Sequence, residues 1–192
     1  MLDRDIIRHA GEFKGYLDNH QYEVSDTGIE FPKASVMLFG EYEDKYGITP
    51  NLITTEGLNH ILSVALRDGS KLNNFYLALY SGNYTPTAAL TAATFAATAT
   101  EIVSGTEGYS NATRPQWSPT APAGGQIDNY TAKAEFNIVT ASQVTIYGAA
   151  LLSDAVKGST SGVLISAARF ASSRTEYNGN VYGLGYRVRA QG

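Results

Sequence analysis

The chain has 192 residues, of which 43% are hydrophobic and 17% charged, and its formal net charge is −4. This composition excludes a solvated charged chain, a coiled coil and most disordered proteins, and the negative charge gives no bulk attraction to nucleic acid. Because the sequence has no cysteine, a disulfide scaffold, a thiol nucleophile and a cysteine zinc site are excluded as well.

The first fifty residues differ in charge from the rest. They hold ten of the 18 acidic residues and five of the 14 basic ones. Their apolar residues come in short pieces, and only residues 36–39 have the pattern of a buried strand. We predict an acidic N-terminal arm or β-ribbon over residues 1–49 and a β-sandwich domain over residues 50–192. Within the first part, residues 1–35 fit either a loosely attached arm or a polar ribbon on the same domain.

The N-terminal sequence does not resemble a targeting segment. Acidic residues stand where a secretory signal peptide has basic ones, and no stretch of the sequence approaches 18 apolar residues. We therefore expect no export signal, no transmembrane helix and no membrane partner.

Residues 54–68 carry the clearest helix signal. Thr54 suits the N-cap, and Asp68-Gly69 suits the end of the helix, with Gly69 at C′. Apolar residues recur at the spacing of one buried face. The predicted buried face consists of Leu58, Ile61, Leu62, Ala65 and Leu66. His60 falls outside this face, so we expect it to be solvated.

The rest of the chain is predicted to form strands and turns, because its apolar residues either alternate or run continuously over short stretches. The predicted strands cover residues 75–80, 132–138, 144–152, 162–167 and 181–188. Residues 84–131 form a long excursion with at most a helical turn at 91–95, and such excursions are usually functional, disordered or ordered by a partner. The expected fold is mainly β: an antiparallel β-sandwich, jelly-roll or immunoglobulin-like, with one short helix.

Signatures of enzyme chemistry are weak. His9, His20 and His60 lack the spacing of a zinc site. The stretch 158–162 has threonine where a nucleophile elbow needs serine, and it is typical of a hairpin turn. The carboxylates that could form a catalytic pair are isolated in the sequence. They are Glu101, Glu107, Asp128, Glu135, Asp154 and Glu176. We expect no enzyme activity, no cofactor and no metal.

Residues suited to a protein interface lie in three places. Arg114 flanks Trp117, the only tryptophan, and this pair fits either an interface anchor or a loop folded over the edge of the core. Arg187 and Arg189 share a strand face and fit either an acidic partner, such as the arm of a neighbouring copy, or a solvated face. The arm itself has apolar anchors without the periodicity of a core. These anchors are Ile6, Ile7, Phe13, Tyr16 and Leu17.

Several stretches resemble virion proteins of tailed bacteriophages. They are residues 50–62 (PNLITTEGLNHIL), 75–86 (FYLALYSGNYTP), 95–102 (FAATATEI), 112–115 (ATRP) and 147–152 (YGAALL). The resemblance covers about residues 50–190 and contains no catalytic motif.

This resemblance implies a non-enzymatic virion structural protein, assembled in the bacterial cytoplasm and acting as a homo-oligomer or in repeated copies. One expected position is that of a capsid cement or decoration protein on the head, bound to the major capsid protein. The other is a neck, collar or tail-associated position, bound to portal or neck proteins. A different class remains open. A carbohydrate-binding module could use Tyr84, Tyr109, Trp117 and Tyr130 as stacking platforms.

Overall fold

The computed structural model describes residues 22–24, 30–32 and 37–191. The chain divides into two compact units, one made of Met1–Met37 with Ala190–Gly192 and the other of Leu38–Arg189. In the first unit, β1 (Tyr22–Val24) pairs with β2 (Glu30–Pro32) in antiparallel register. The second unit begins ahead of the predicted boundary at residue 50, because strands formed by residues 38–49 belong to one of its sheets.

The larger unit is a mainly β fold with two antiparallel sheets and two short helices, which confirms the predicted β-sandwich. Its first elements are β3 (Met37–Asp44), β4 (Gly47–Pro50), β5 (Leu52–Ile53), α1 (Thr55–Leu66), β6 (Phe75–Tyr80), α2 (Ala92–Ala99) and β7 (Gly108–Tyr109). The remaining elements are β8 (Gln116–Trp117), β9 (Gln126–Asp128), β10 (Ala134–Val139), β11 (Val144–Leu152), β12 (Leu164–Glu176) and β13 (Val181–Gln191).

The strands form a six-stranded and a five-stranded sheet. The six-stranded sheet has the order β4-β3-β13-β10-β7, with β9 also paired to β13, and the five-stranded sheet has the order β5-β12-β11-β6-β8. The third strand of five is β11, which confirms the prediction that a stretch apolar on both faces is a central strand. Only half of β12 was predicted. Its second half is rich in polar residues, and a register shift leaves residues 170–173 bulged opposite Tyr147.

The core between the sheets is rich in aromatic rings. Tyr182 and Phe136 lie in one cluster with Leu77, Leu79 and Ile146. These residues follow the two-residue alternation of their strands, as the sequence predicts. A buried ion pair also joins the sheets: Arg174 of β12 donates to Asp44 of β3 at 2.8 Å.

A second core covers the outer face of the five-stranded sheet. Phe95 of α2 packs edge-on against Tyr80 of β6, with 6.1 Å between ring centroids. The helix is therefore the third layer of the fold, and it lies within the long excursion over 84–131. Within this segment the chain forms α2 and three short strands, and the contacts described below tie it to the rest of the fold.

The predicted helix is confirmed, but its predicted buried face is wrong. Thr54 caps it as expected, accepting a bond from the Gly57 N–H at 3.0 Å. Leu58, Leu62 and Leu66, however, are 39%, 54% and 78% exposed. Gly57 is buried instead, and His60, which was expected to be solvated, is half-buried.

The helix buries a different face from the predicted one because α1 approaches β12 closely. A Cβ at Gly57 would lie 2.4 Å from the carbonyl oxygen of Ile165, so the absence of a side chain lets the helix rest directly on strand backbone. The far end of the helix differs from the prediction too. Gly69 has no left-handed φ, and glycine suits this position because a Cβ would lie 2.8 Å from the backbone carbonyl carbon of Ser63.

Candidate interaction surface

The apolar anchors of the arm lie outside the described residues. Ile6, Ile7, Phe13, Tyr16 and Leu17 all belong to this part of the chain. Their predicted role at an interface stays a prediction.

Arg114 is held inside the fold and is 1% exposed. Its Nε and Nη2 atoms donate to the two carboxylate oxygens of Glu101, both at 2.7 Å, and its Nη1 donates to the Asp154 carbonyl at 2.8 Å. The Gly158 N–H donates to the same carboxylate at 3.0 Å. This clamp ties residues 101–114 to the turn after β11, so Arg114 has an internal structural role and offers no surface to a partner.

Trp117 belongs to the core. It is 8% exposed, its Nε1 donates to the Tyr186 carbonyl at 3.0 Å, and its ring packs edge-on against Tyr186. Of the two alternatives left open by the sequence, the structure matches the loop tryptophan folded over the edge of the core.

Arg187 and Arg189 have acidic partners within the chain. Arg187 Nε contacts Asp128 at 3.0 Å and its Nη1 contacts Glu41 at 3.1 Å, and Arg187 also lies 4.0 Å from the centroid of the Tyr130 ring. Arg189, which is more exposed, contacts Glu41 at 3.2 Å. Both arginines that were expected to bind an acidic arm thus already form ion pairs with carboxylates of the same chain.

Two further carboxylates with catalytic potential, Glu107 and Asp154, accept hydrogen bonds within the chain, whereas Glu135 is exposed on its strand. Hydrogen bonds from Thr140 and the Ala141 N–H lower the pKa of Glu107. Bonds from Ser159 and the Val156 N–H likewise lower the pKa of Asp154. Carboxylates that are held ionised in this way suit structural contacts better than proton donation. Glu107 also lines a cavity of about 360 Å³.

The aromatic residues considered for sugar stacking do not form a platform. Tyr109 is fully buried and Trp117 nearly so, while Tyr84 and Tyr130 are half-buried. A sugar ring needs an exposed aromatic face, and two of the four rings lack one.

Helix α1 exposes several large apolar side chains. When the residues of α1 are projected along the helix axis at 100° per residue, its apolar positions occupy an arc of about 200°, from Val64 at one edge to Leu66 at the other. The apolar arc of an ordinary surface helix is about half as wide. The fold covers the part around Gly57. The three leucines, Leu58, Leu62 and Leu66, remain exposed along the helix, and we call them the leucine ridge.

A groove lies beside this ridge. It has a volume of about 320 Å³ and is almost entirely apolar. Its lining includes Ile61, Val64 and Ala65 of α1 together with Phe75, Ile165 and Val188. Sequence reasoning missed the ridge and groove, although the width of the apolar arc was a signal, since one buried face needs only half of it.

Neither helix in the described part of the chain is long and apolar enough to cross a membrane. Within residues 22–24, 30–32 and 37–191, no group of three or more His, Asp or Glu side chains is placed to hold a metal ion. No protein-family model matches the chain, and a search of curated proteins finds no match.

Proposed function

We propose that the chain is a non-enzymatic bacteriophage virion structural protein that serves as a capsid cement or decoration protein on the head. The observation that carries this proposal is the leucine ridge with its adjoining groove, because exposed apolar patches of this kind mark protein–protein contact sites. The phage assignment itself depends on the resemblance over residues 50–190.

The surrounding fold supports a binding role. Acids and arginines that could serve chemistry are used as internal clamps, Arg114 with Glu101 inside the sandwich and Arg187 with Asp128 on its sheet. A rigid body of this kind holds a contact surface in one conformation, which reduces the entropy lost on binding.

The proposal is tested on purified particles produced from the genome that encodes the chain. We expect the protein in many copies over the head, located by antibody labelling or by a density map. Particles made without it should release DNA at a lower temperature, and adding the purified protein should restore their heat resistance.

Two results would change the proposal. Labelling confined to the neck or tail would move the protein to the second position that the sequence suggests. Particles that contain none of the protein would refute the virion role altogether.

A further inference from the structure

We propose that the groove beside α1 binds an amphipathic monocarboxylate, a small molecule with one carboxylate on an unbranched apolar chain of about ten carbon atoms. The inference concerns the groove and not the leucine ridge. It goes beyond the virion role and does not depend on it, because it follows from the lining, the charges and the volume of the groove.

The groove has the features of a small-molecule site. Residues of α1, of the five-stranded sheet and of β13 in the other sheet all line it. Three of them, Trp117, Leu151 and Ile165, are core residues less than a tenth exposed, so the folded chain itself forms this part of the wall before a ligand binds. Sites for small molecules are concave, mostly apolar and largely formed in advance, with a few polar groups that orient the ligand.

The polar groups of the groove favour an anion. Among the described residues, the polar side chains other than Trp117 that line it are His60 of α1 and Lys71, which follows the helix, and no carboxylate lines it. Neither His60 nor Lys71 has a hydrogen bond or an ion pair in the described part of the chain. A free cation and an imidazole beside an apolar wall are complementary to a carboxylate on an apolar chain.

The availability of Lys71 is unusual in this protein. Of the other lysines and arginines in residues 37–191, all but Arg67 donate to an oxygen atom of the chain. Arg67 caps the end of α1 and does not line the groove. Lys71 is therefore the one described cation that is both unpaired and in contact with the groove.

Other classes of ligand match the lining less well. A sugar needs several hydrogen-bonding groups around it, and the groove offers two side chains. A cationic amphiphile would meet the charge of Lys71 with no carboxylate in the lining to offset it. An uncharged apolar molecule would fill the groove without using that charge.

The volume of the groove sets the length of the ligand. A cavity of about 150 Å³ holds benzene, with its six carbon atoms. At the same density, a groove of about 320 Å³ holds on the order of twelve heavy atoms, the number in decanoate. Because burial of one methylene group changes affinity about fourfold, octanoate should bind about fifteenfold more weakly than decanoate. Chains longer than decanoate should gain less than this per methylene, since the added groups stay in water.

The test is a titration of the purified full chain with decanoate, at concentrations below those at which it forms micelles. Trp117 is the only tryptophan and lines the groove, so its fluorescence reports on the site directly. We expect a saturable change, with one ligand bound per chain in equilibrium dialysis. The matched ligand is 1-decanol, which has the same chain without the charge and should bind about threefold more weakly.

Two pairs of variants separate the charge from the shape of the groove. Lys71→Gln should remove the preference for decanoate over decanol, whereas Arg67→Gln should retain it. Ala65→Phe should weaken both ligands at least tenfold by filling the groove, whereas Ala89→Phe, at an exposed position outside the lining, should leave both affinities unchanged. Circular dichroism melts should match the unsubstituted chain for all four variants, since all four positions are exposed.

The outcomes that would overturn the proposal are distinct. Absence of saturable binding to the full chain would do so, whether residues of the chain itself or a second copy fill the groove. Equal affinities for decanoate and decanol, or a preference that survives Lys71→Gln, would rule out recognition of the carboxylate. Binding that persists in Ala65→Phe would mean that the ligand binds elsewhere on the chain. None of these results bears on the virion role, which is tested on particles.

Discussion

Replacing Arg114 with methionine should be among the most destabilising single substitutions in the chain. The side chain of Arg114 is fully buried, and the carboxylate of Glu101 that it holds is fully buried too. Removing the guanidinium leaves that carboxylate with one N–H donor, from Gly158. Breaking a buried pair by removing one partner costs about 3–5 kcal/mol, so we expect a loss of this size in the free energy of unfolding.

The measurement is a urea titration followed by the fluorescence of Trp117, the only tryptophan and a core residue. Arg169→Met is the matched control, because Arg169 is exposed and makes one hydrogen bond, to Asn83 at 2.7 Å. It should cost about 0.5 kcal/mol or less, as surface changes do.

A double substitution separates the loss of the pair from the cost of an unpaired charge. Arg114→Met with Glu101→Met removes both charges, and only the neighbouring backbone groups lose partners. Such groups cost about 1–3 kcal/mol each, so the double variant should be more stable than the sum of the two single losses predicts. If Arg114→Met costs no more than Arg169→Met at an unchanged m-value, the buried clamp does not hold residues 101–114 as described.

Three further predictions follow from α1 and the aromatic core. Leu62→Ala should cost at most about 1 kcal/mol in a thermal melt, because Leu62 is 54% exposed, whereas Phe95→Ala in the second core should cost about 3–5 kcal/mol. Equal losses would mean that α1 buries its leucine ridge after all. Gly57→Ala should destabilise by about 1–3 kcal/mol, since the added methyl would meet the Ile165 backbone, and a more stable variant would show that helix propensity outweighs the close approach. Burial raises the pKa of Tyr186 to about 12, so the stability it gives is complete below the unfolded-state pKa of about 10 and is lost as the pH rises towards 12. Urea titrations between pH 9 and about 12 should show this decline, and a flat profile would contradict the burial of the phenol.

The sequence was informative wherever one local pattern decided the structure. Alternation over 132–138 predicted a half-buried strand, and the continuous apolar run over 144–152 predicted a central strand, because each strand residue points to a face fixed by a period of two. Thr54 predicted the start of α1 for a similar reason, since an N-cap bond involves only neighbouring residues.

The face that α1 buries could not be predicted from a local sequence pattern. Its apolar arc is wide enough for two faces, and the choice between them depends on Gly57 resting on Ile165, a residue more than one hundred positions away. A mid-helix glycine in an otherwise apolar pattern was the only local indication of that close approach.

For Arg114 and Trp117, the sequence left a choice between an interface role and a core role for a related reason. Arginine and tryptophan are both frequent at interfaces, but either can also be buried in a core if a residue distant in the sequence accepts its hydrogen bonds. Glu101 and Tyr186 are those partners, and their proximity depends on the sheet topology.

The edges of the two sheets limit how copies of this protein can join. The five-stranded sheet ends in β5 and β8, of two residues each, and β7 at one end of the other sheet is equally short. Beyond Ala167, where β5 ends its pairing, β12 soon breaks into the bulge at 170–173. Short and bulged edges are poor templates for strand addition. At these three edges the sheets of two neighbouring molecules would therefore not join by strand addition, and any contact made there would involve side chains.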